Sequence, residues 1–227
     1  MTSAPRWSER ALAYHFQDPR LLRQALTHRS AGGRNNERLE FLGDALLGMV
    51  VAQALYDALP DADEGYLSRL RAHLVRRETL AEVASELSLG DRITLGQGEL
   101  KSGGHRRASI LANGFEAVLG AVYLDGGYEA ARDLVLRLLR TRLDALPPHE
   151  ELKDSKTRLQ ECLQARGRRL PDYEIETISG EDHRQRFTAA CTLPELSLRT
   201  AGEGRSRRQA EQAAAAAMIA LLELESV

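Results

Sequence analysis

The thirteen residues Asn36-Glu37-Arg38-Leu39-Glu40-Phe41-Leu42-Gly43-Asp44-Ala45-Leu46-Leu47-Gly48 restrict this chain more than any other stretch. A helix turns about 100° per residue, which places Glu37, Glu40 and Asp44 within roughly 60° of one another. Leu39, Phe41, Leu42, Ala45, Leu46 and Leu47 cover much of the remaining circumference. The pattern predicts a helix buried on most sides that still carries three acids along one stripe. Acids at this spacing ordinarily form a solvated face, but the apolar flanks argue against that here. Like charges held together away from bulk water repel, and desolvation adds to the cost. Such a stripe persists when a cation neutralises it or when some acids take up protons, and a hard divalent metal meets the first condition.

A second segment has the same character. Ser109 to Leu124 reads as a buried helix in which Asn113 and Glu116 are the strong oxygen ligands, three residues apart and so on one face. A buried glutamate is normally paired with Arg or Lys, and this segment contains neither. A metal shared with Glu40 and Asp44 is the economical reading.

The 227 residues allow one medium and one small domain, each with its own core. With 31 Lys+Arg against 33 Asp+Glu, the net charge of -2 gives no hint of a polyanionic partner, so local clusters must carry that question. Cys162 and Cys191 sit at apolar positions of their elements and read as reduced core thiols, which points to the cytosol. No apolar export segment opens the chain, and the longest apolar run noted, Ala213 to Leu222, is too short to span a bilayer; a soluble protein is expected. The prolines of Leu146-Pro147-Pro148-His149 interrupt a helical pattern and read as a linker. Before them, Asp18-Pro19 opens a helix, and further helices are predicted near 36–58, 63–75, 78–88, 107–124 and 128–144. The glycine-rich segment 90–105 reads either as a plain surface connection or as a flexible strip beside substrate, since Lys101, Arg106 and Arg107 lie in or next to it.

Beyond the linker, Leu159, Cys162 and Leu163 mark an amphipathic helix. Residues 173–178, 186–191 and 196–200 read as strands, and a helix over about 206–224 closes the domain. Ser206 and Gln209 form a capping box, which puts Arg207 and Arg208 in the first turn, near the positive end of the helix dipole. Two solvated arginines there cost little. An anion docked on the same helix end, where free N–H groups point outward, accounts for them better, and phosphate fits that geometry.

Residues 36–48 closely resemble the signature of the ribonuclease III family, and Ile110 to Asp125 is similar to that family's second catalytic helix. Ala25-Leu26-Thr27-His28-Arg29-Ser30 and Gly65-Tyr66-Leu67-Ser68 agree as well, and the α-β-β-β-α order after the linker resembles a double-stranded RNA-binding domain. The resemblance implies a multi-domain protein: an all-α ribonuclease III catalytic domain over 6–147, a linker over 148–152 and a small α+β RNA-binding domain over 153–224. It implies a homodimeric endoribonuclease that cuts double-stranded RNA with Mg²⁺, Mn²⁺ being able to substitute, and leaves 5′-phosphate and 3′-hydroxyl ends with short 3′ overhangs. Glu40, Asp44, Asn113 and Glu116 would hold the metal, Asp44 and Glu116 being catalytic with Glu37 and Glu64 as outer acids. Glu64 also reads as part of a helix start, Asp61-Ala62-Asp63-Glu64. Thr157, Gln160, Glu161 and His183 would touch the RNA minor groove, Arg207 and Arg208 the phosphates, and Phe41 the partner subunit. The family commonly has aspartate where this chain has Asn113, which retains an oxygen ligand but removes a charge. It often has lysine in place of Gln209. Two other classes share part of the pattern: an all-α nucleotide pyrophosphohydrolase, which the appended RNA-binding module disfavours, and a noncatalytic RNA-binding regulator, which would lack Glu40, Asp44 or Glu116.

Overall fold

The computed structural model describes residues 4–181 and 184–224. The chain divides between Pro147 and Pro148 into two compact units. The first contains α1 (Ala4–Ala11), α2 (Pro19–Ala25), α3 (Glu37–Ala58), α4 (Glu64–Val75), α5 (Arg77–Glu86), α6 (Gln97–Lys101) and α7 (Ala108–Leu143), with 3-10 turns at Arg29–Ala31, Leu89–Asp91 and Gly104–Arg106. The second contains α8 (His149–Leu152), α9 (Ser155–Ala165), β1 (Asp172–Ser179), β2 (Arg186–Leu193), β3 (Leu198–Gly204) and α10 (Arg207–Leu224).

The centre of the first unit is the pairing of α3 with α7, against which α2 and α5 also pack. Leu39, Leu47, Val50, Val51 and Leu55 of α3 are buried, as are Phe115, Val118, Leu119 and Val122 of α7. By length and composition α3 could also cross a bilayer; in this fold it is the central core helix. Two glycines let α3 and α7 approach backbone to backbone. A methyl group on Gly43 would run into the carbonyl of Glu116, and one on Gly120 into the carbonyl of Leu39. Gly127, at φ 79° and ψ -175°, breaks α7 into the two helices expected from the sequence. Just before this break, Asp125 accepts hydrogen bonds from the Tyr14 hydroxyl at 2.8 Å and from the N–H groups of Gln17 (2.9 Å) and Asp18 (2.8 Å), which ties the start of α2 to α7.

Several sequence expectations need correction. α1 was not anticipated, because its short polar stretch is held by one anchor: Trp7 is buried and its Nε1 donates to the Leu87 carbonyl at 2.9 Å. The 90–105 segment is not a plain loop but holds α6 and two 3-10 turns, and the linker contains the single turn α8. The helix start near residue 61 is capped by Asp63, whose Oδ1 accepts from Tyr66 N–H at 2.6 Å, and not by an Asp61–Glu64 box. α3 is not buried on most sides: Phe41, Met49 and Tyr56 are 79, 61 and 73 % exposed and line one stripe with exposed Ala45.

In the second unit β1, β2 and β3 form an antiparallel sheet in that order, with a bulge between Ile175 and Thr177. The third strand begins later than predicted because Pro194–Leu196 forms a 3-10 turn. Leu159 and Leu163 of α9, Cys191 and Leu193 of β2, and Ala214, Ala215, Met218 and Leu222 of α10 make one core. Cys191 is buried and Cys162 half-buried, both unpaired. Gly202 and Gly204 let α10 lie directly on β3, since side chains there would strike the α10 backbone.

Because the α3–α7 crossing leaves no room for a methyl group, Gly43→Ala is expected to destabilise the first unit by about 3 kcal/mol, as overpacking of a tight core does. Thermal unfolding tests this; an unchanged melting temperature would contradict the crossing.

Candidate active site

The glycine-mediated contact sets the site geometry. Where α3 and α7 touch, Glu40 and Asp44 from one and Asn113 and Glu116 from the other line a single open cleft of about 580 Å³. Glu37 and Phe41 line it too, as do His28, Arg29, Glu99 and Arg107 from the flanking segments. Those segments are stitched together: His28 N–H donates to the Thr94 carbonyl at 3.0 Å, and Gly96 N–H to Ser30 Oγ at 2.9 Å.

Glu116 is half-buried, and its carboxyl is pushed up to about 7 by burial first, then by the negative charges of Asp44 and Glu40, with Arg77 opposing. Glu40 is also raised, again by burial first; a hydrogen bond from Asn113 works against this, as does Arg29, while Glu37 and Asp44 add to it. An ionised carboxylate only accepts, so the Asn113 amide nitrogen is the donor and its oxygen remains available to a further partner. Among the described residues, none of Glu40, Asp44 and Glu116 has an ion pair with lysine or arginine. Sequence reasoning looked for a basic partner within the Glu116 helix and so missed Arg77, which comes from α5.

Three acids gathered in one cleft without a lysine or arginine bound to them, beside an amide oxygen, form a donor set that fits a hard divalent cation. Among the described residues, the groups do not already close into a cluster of three metal-ligating side chains.

The other predicted residues are distributed as follows. Glu37 is exposed; its N–H bonds to Asn35 Oδ1 at 3.1 Å and its carboxylate lies 3.6 Å from Arg29. Glu64 does not line the cleft; it begins α4 and accepts from Ser68 Oγ at 2.7 Å. In the second unit, Asp154 caps α9 through Thr157 N–H at 3.0 Å and accepts from Gln212 of α10 at 2.9 Å, while Lys156 bonds Glu211 at 2.7 Å. These bonds fix the α9 N-terminus against α10, and with it the exposed Gln160 and Glu161 relative to Arg207 and Arg208. Glu161 is paired with Lys153 at 2.5 Å. Ser206 Oγ accepts from Gln209 N–H at 3.2 Å, and the Gln209 side chain reaches back to Arg205 N–H at 2.9 Å, one residue beyond the simple capping box. Arg207 and Arg208 are exposed in the first turn; burial works to raise the Asp154 carboxyl, but hydrogen bonds from Thr157 and Gln212 hold it below its ordinary value, with Arg208 adding a smaller pull. His183 lies outside the described residues.

A helical domain with clustered acids to which no lysine or arginine is bound, followed by a three-stranded α+β module with arginines at a helix start, is the make-up of a nucleic-acid hydrolase joined to an RNA-binding module. Residues 18–143 match the family described as ribonuclease-III-like, and residues 155–222 match the double-stranded RNA binding motif. Ribonuclease 3 of Nitrosococcus oceani is 58% identical over 96% of this chain and 94% of its own length, and that of Alkalilimnicola ehrlichii is 55% identical over 93% of each. The crystal structure of the nuclease domain of ribonuclease III from Campylobacter jejuni, at 2.2 Å resolution, superposes with a TM-score of 0.61 and 41% identity, covering 64% of this chain and all of that one. The chain belongs to the ribonuclease III family, and is an endoribonuclease for double-stranded RNA.

A carboxyl whose pKa is higher folded than unfolded makes the folded state bind more protons. The Glu116 contribution to stability therefore falls as pH rises from the ordinary value of about 4.3 to about 7. In metal-free protein, the melting temperature should drop between about pH 5 and about pH 8 by more in the unmutated chain than in Glu116→Gln. Equal drops would show that Glu116 is not held in this strained setting.

Proposed function

We propose that the chain cuts duplex RNA with Mg²⁺ as cofactor, Mn²⁺ being able to substitute, to leave 5′-phosphate and 3′-hydroxyl ends with short 3′ overhangs. Its substrates are rRNA precursors and other structured transcripts in the cytoplasm. The carrying observation is the convergence of Glu40, Asp44 and Glu116 in one cleft without a basic residue bound to them. Divalent ions held there would supply Lewis acidity for phosphodiester hydrolysis. Glu40, Asp44 and Glu116 would hold them through carboxylate oxygens, and Asn113 would offer its amide oxygen while its amide nitrogen steadies Glu40. Asp44 and Glu116 serve as the catalytic acids. Glu37 at the cleft edge and Glu64 outside it serve as outer acids, acting through water or RNA contact.

The chain works as a homodimer through the face that presents Phe41, Met49 and Tyr56, a stripe too apolar and exposed to be explained by the monomer. In the second unit Thr157, Gln160, Glu161 and His183 contact the minor groove, while Arg207 and Arg208 bridge phosphates across the major groove.

Long duplex RNA incubated with the protein should be cut with Mg²⁺ and left intact with EDTA. Glu116→Gln should abolish cutting and retain duplex binding, because it removes a ligand charge in the first unit and leaves the second untouched; equal loss of both in a folded variant would refute the assignment. The double variant Arg207→Ala with Arg208→Ala should weaken binding and reduce the slope of log affinity against log salt by about 2, one per lost phosphate contact. An unchanged slope would remove these arginines from the RNA surface.

A further inference from the structure

The cleft that gathers the acids also contains two arginines. Arg29 and Arg107 both line it, and each is held by an acid of the same chain. Arg29 Nη1 lies 3.6 Å from Glu37, and Arg107 Nη1 lies 2.9 Å from Glu99, with its Nη2 3.3 Å from Ser102 Oγ. The arginine side chains are 71 and 48 % exposed, and ion pairs this open to water contribute little to stability.

Their backbone placement is far more constrained. The Thr27–Thr94 bridge and the Gly96–Ser30 bond hold the Arg29 turn against the segment that leads into α6. Gly103, at φ 76°, reverses the chain after α6. A side chain on Gly104 would meet the Glu99 carbonyl at 2.8 Å, so the glycine pair folds Arg107 back beside Glu99. Two cations are thus fixed at the cleft by their backbones and held there by exchangeable side-chain partners.

An RNA strand entering this cleft brings one phosphate per nucleotide. The metal-binding acids serve the phosphate that is cut, but they repel its neighbours, and neutralising those requires cations within the same cleft. A guanidinium is planar and forked, and binds phosphate oxygens at least as well as a carboxylate.

We propose that Arg29 and Arg107 are positioning residues that grip the phosphates flanking the one that is cut, and that Glu37 and Glu99 hold the two guanidinium groups in place until RNA displaces them. This rests on the nuclease reading above.

The test is steady-state cleavage of a defined RNA duplex by the full chain with Mg²⁺ over a range of KCl concentrations, with folding of each variant checked by thermal unfolding. Arg107→Ala should raise KM about tenfold, the cost of one charge-assisted contact, with a much smaller change in kcat. It should flatten the slope of log kcat/KM against log salt by about 0.9, and Arg29→Ala should do the same. Arg107→Lys should keep the slope. Glu99→Gln should lower KM, because it frees Arg107 for phosphate. If Arg107 only braced the loop, Glu99→Gln and Arg107→Ala would do the same damage and leave the salt slope unchanged, and that result overturns the proposal. An unmutated chain that leaves the duplex whole defeats the nuclease reading and this inference with it. Cutting by the unmutated chain with identical salt slopes in all variants defeats this inference alone.

Discussion

Acids on two separate helices can act on one another only if the helices nearly touch, and ordinary side chains hold helix axes 8–10 Å apart. Gly43 and Gly120 remove that spacer at two points of the α3–α7 crossing, each facing a backbone carbonyl of the other helix. The rest of the first unit serves this contact. Leucines and valines bury the two helices on either side of it, α2 and α5 pack against α7, and Asp125 fixes the turn before α2 to the end of the α7 half that carries Glu116.

The consequence of the crossing is electrostatic. Burial and two neighbouring carboxylates press Glu116 toward its neutral form, and Glu40 is pressed the same way but relieved by Asn113. A site in which ionisation is unfavourable for the protein alone is one in which a divalent cation gains most by binding, because it removes repulsion as well as adding attraction. Asn113 modifies this balance. It contributes a donor and an oxygen but no charge, so this cleft carries one negative charge fewer than an aspartate there would give.

The second unit solves a different problem with the same device. Gly202 and Gly204 let α10 settle on the sheet, and the Asp154–Gln212 and Lys156–Glu211 bonds then lock the start of α9 to the side of α10. What results is a rigid spacing between α9 residues and the two arginines at the start of α10. Duplex RNA is recognised mainly by its shape, and a rigid spacing between surface groups is what such recognition requires.

Much of this was legible in the chain itself. The helix periods, the strands, the Ser206 cap and the acid stripe follow from local rules of spacing and burial, and Asn113 with Glu116 stood out because their helix has no basic partner of its own. What stayed hidden lies beyond local pattern. α1 depends on a bond from Trp7 to residue 87, the 90–105 segment takes its shape from contacts with the Ser30 turn, and Arg77 reaches Glu116 from another helix. The apolar flanks of the acid stripe pointed to a helix covered on most sides, yet Phe41, Met49 and Tyr56 are exposed, since a sequence records that a residue is apolar but not whether its own chain covers it. Sequence alone therefore determined which acidic and amide side chains are the candidates for the chemistry and on what kind of element each stands. Tertiary structure decided that these side chains meet, because the meeting depends on two glycines whose value appears only when another backbone is pressed against them.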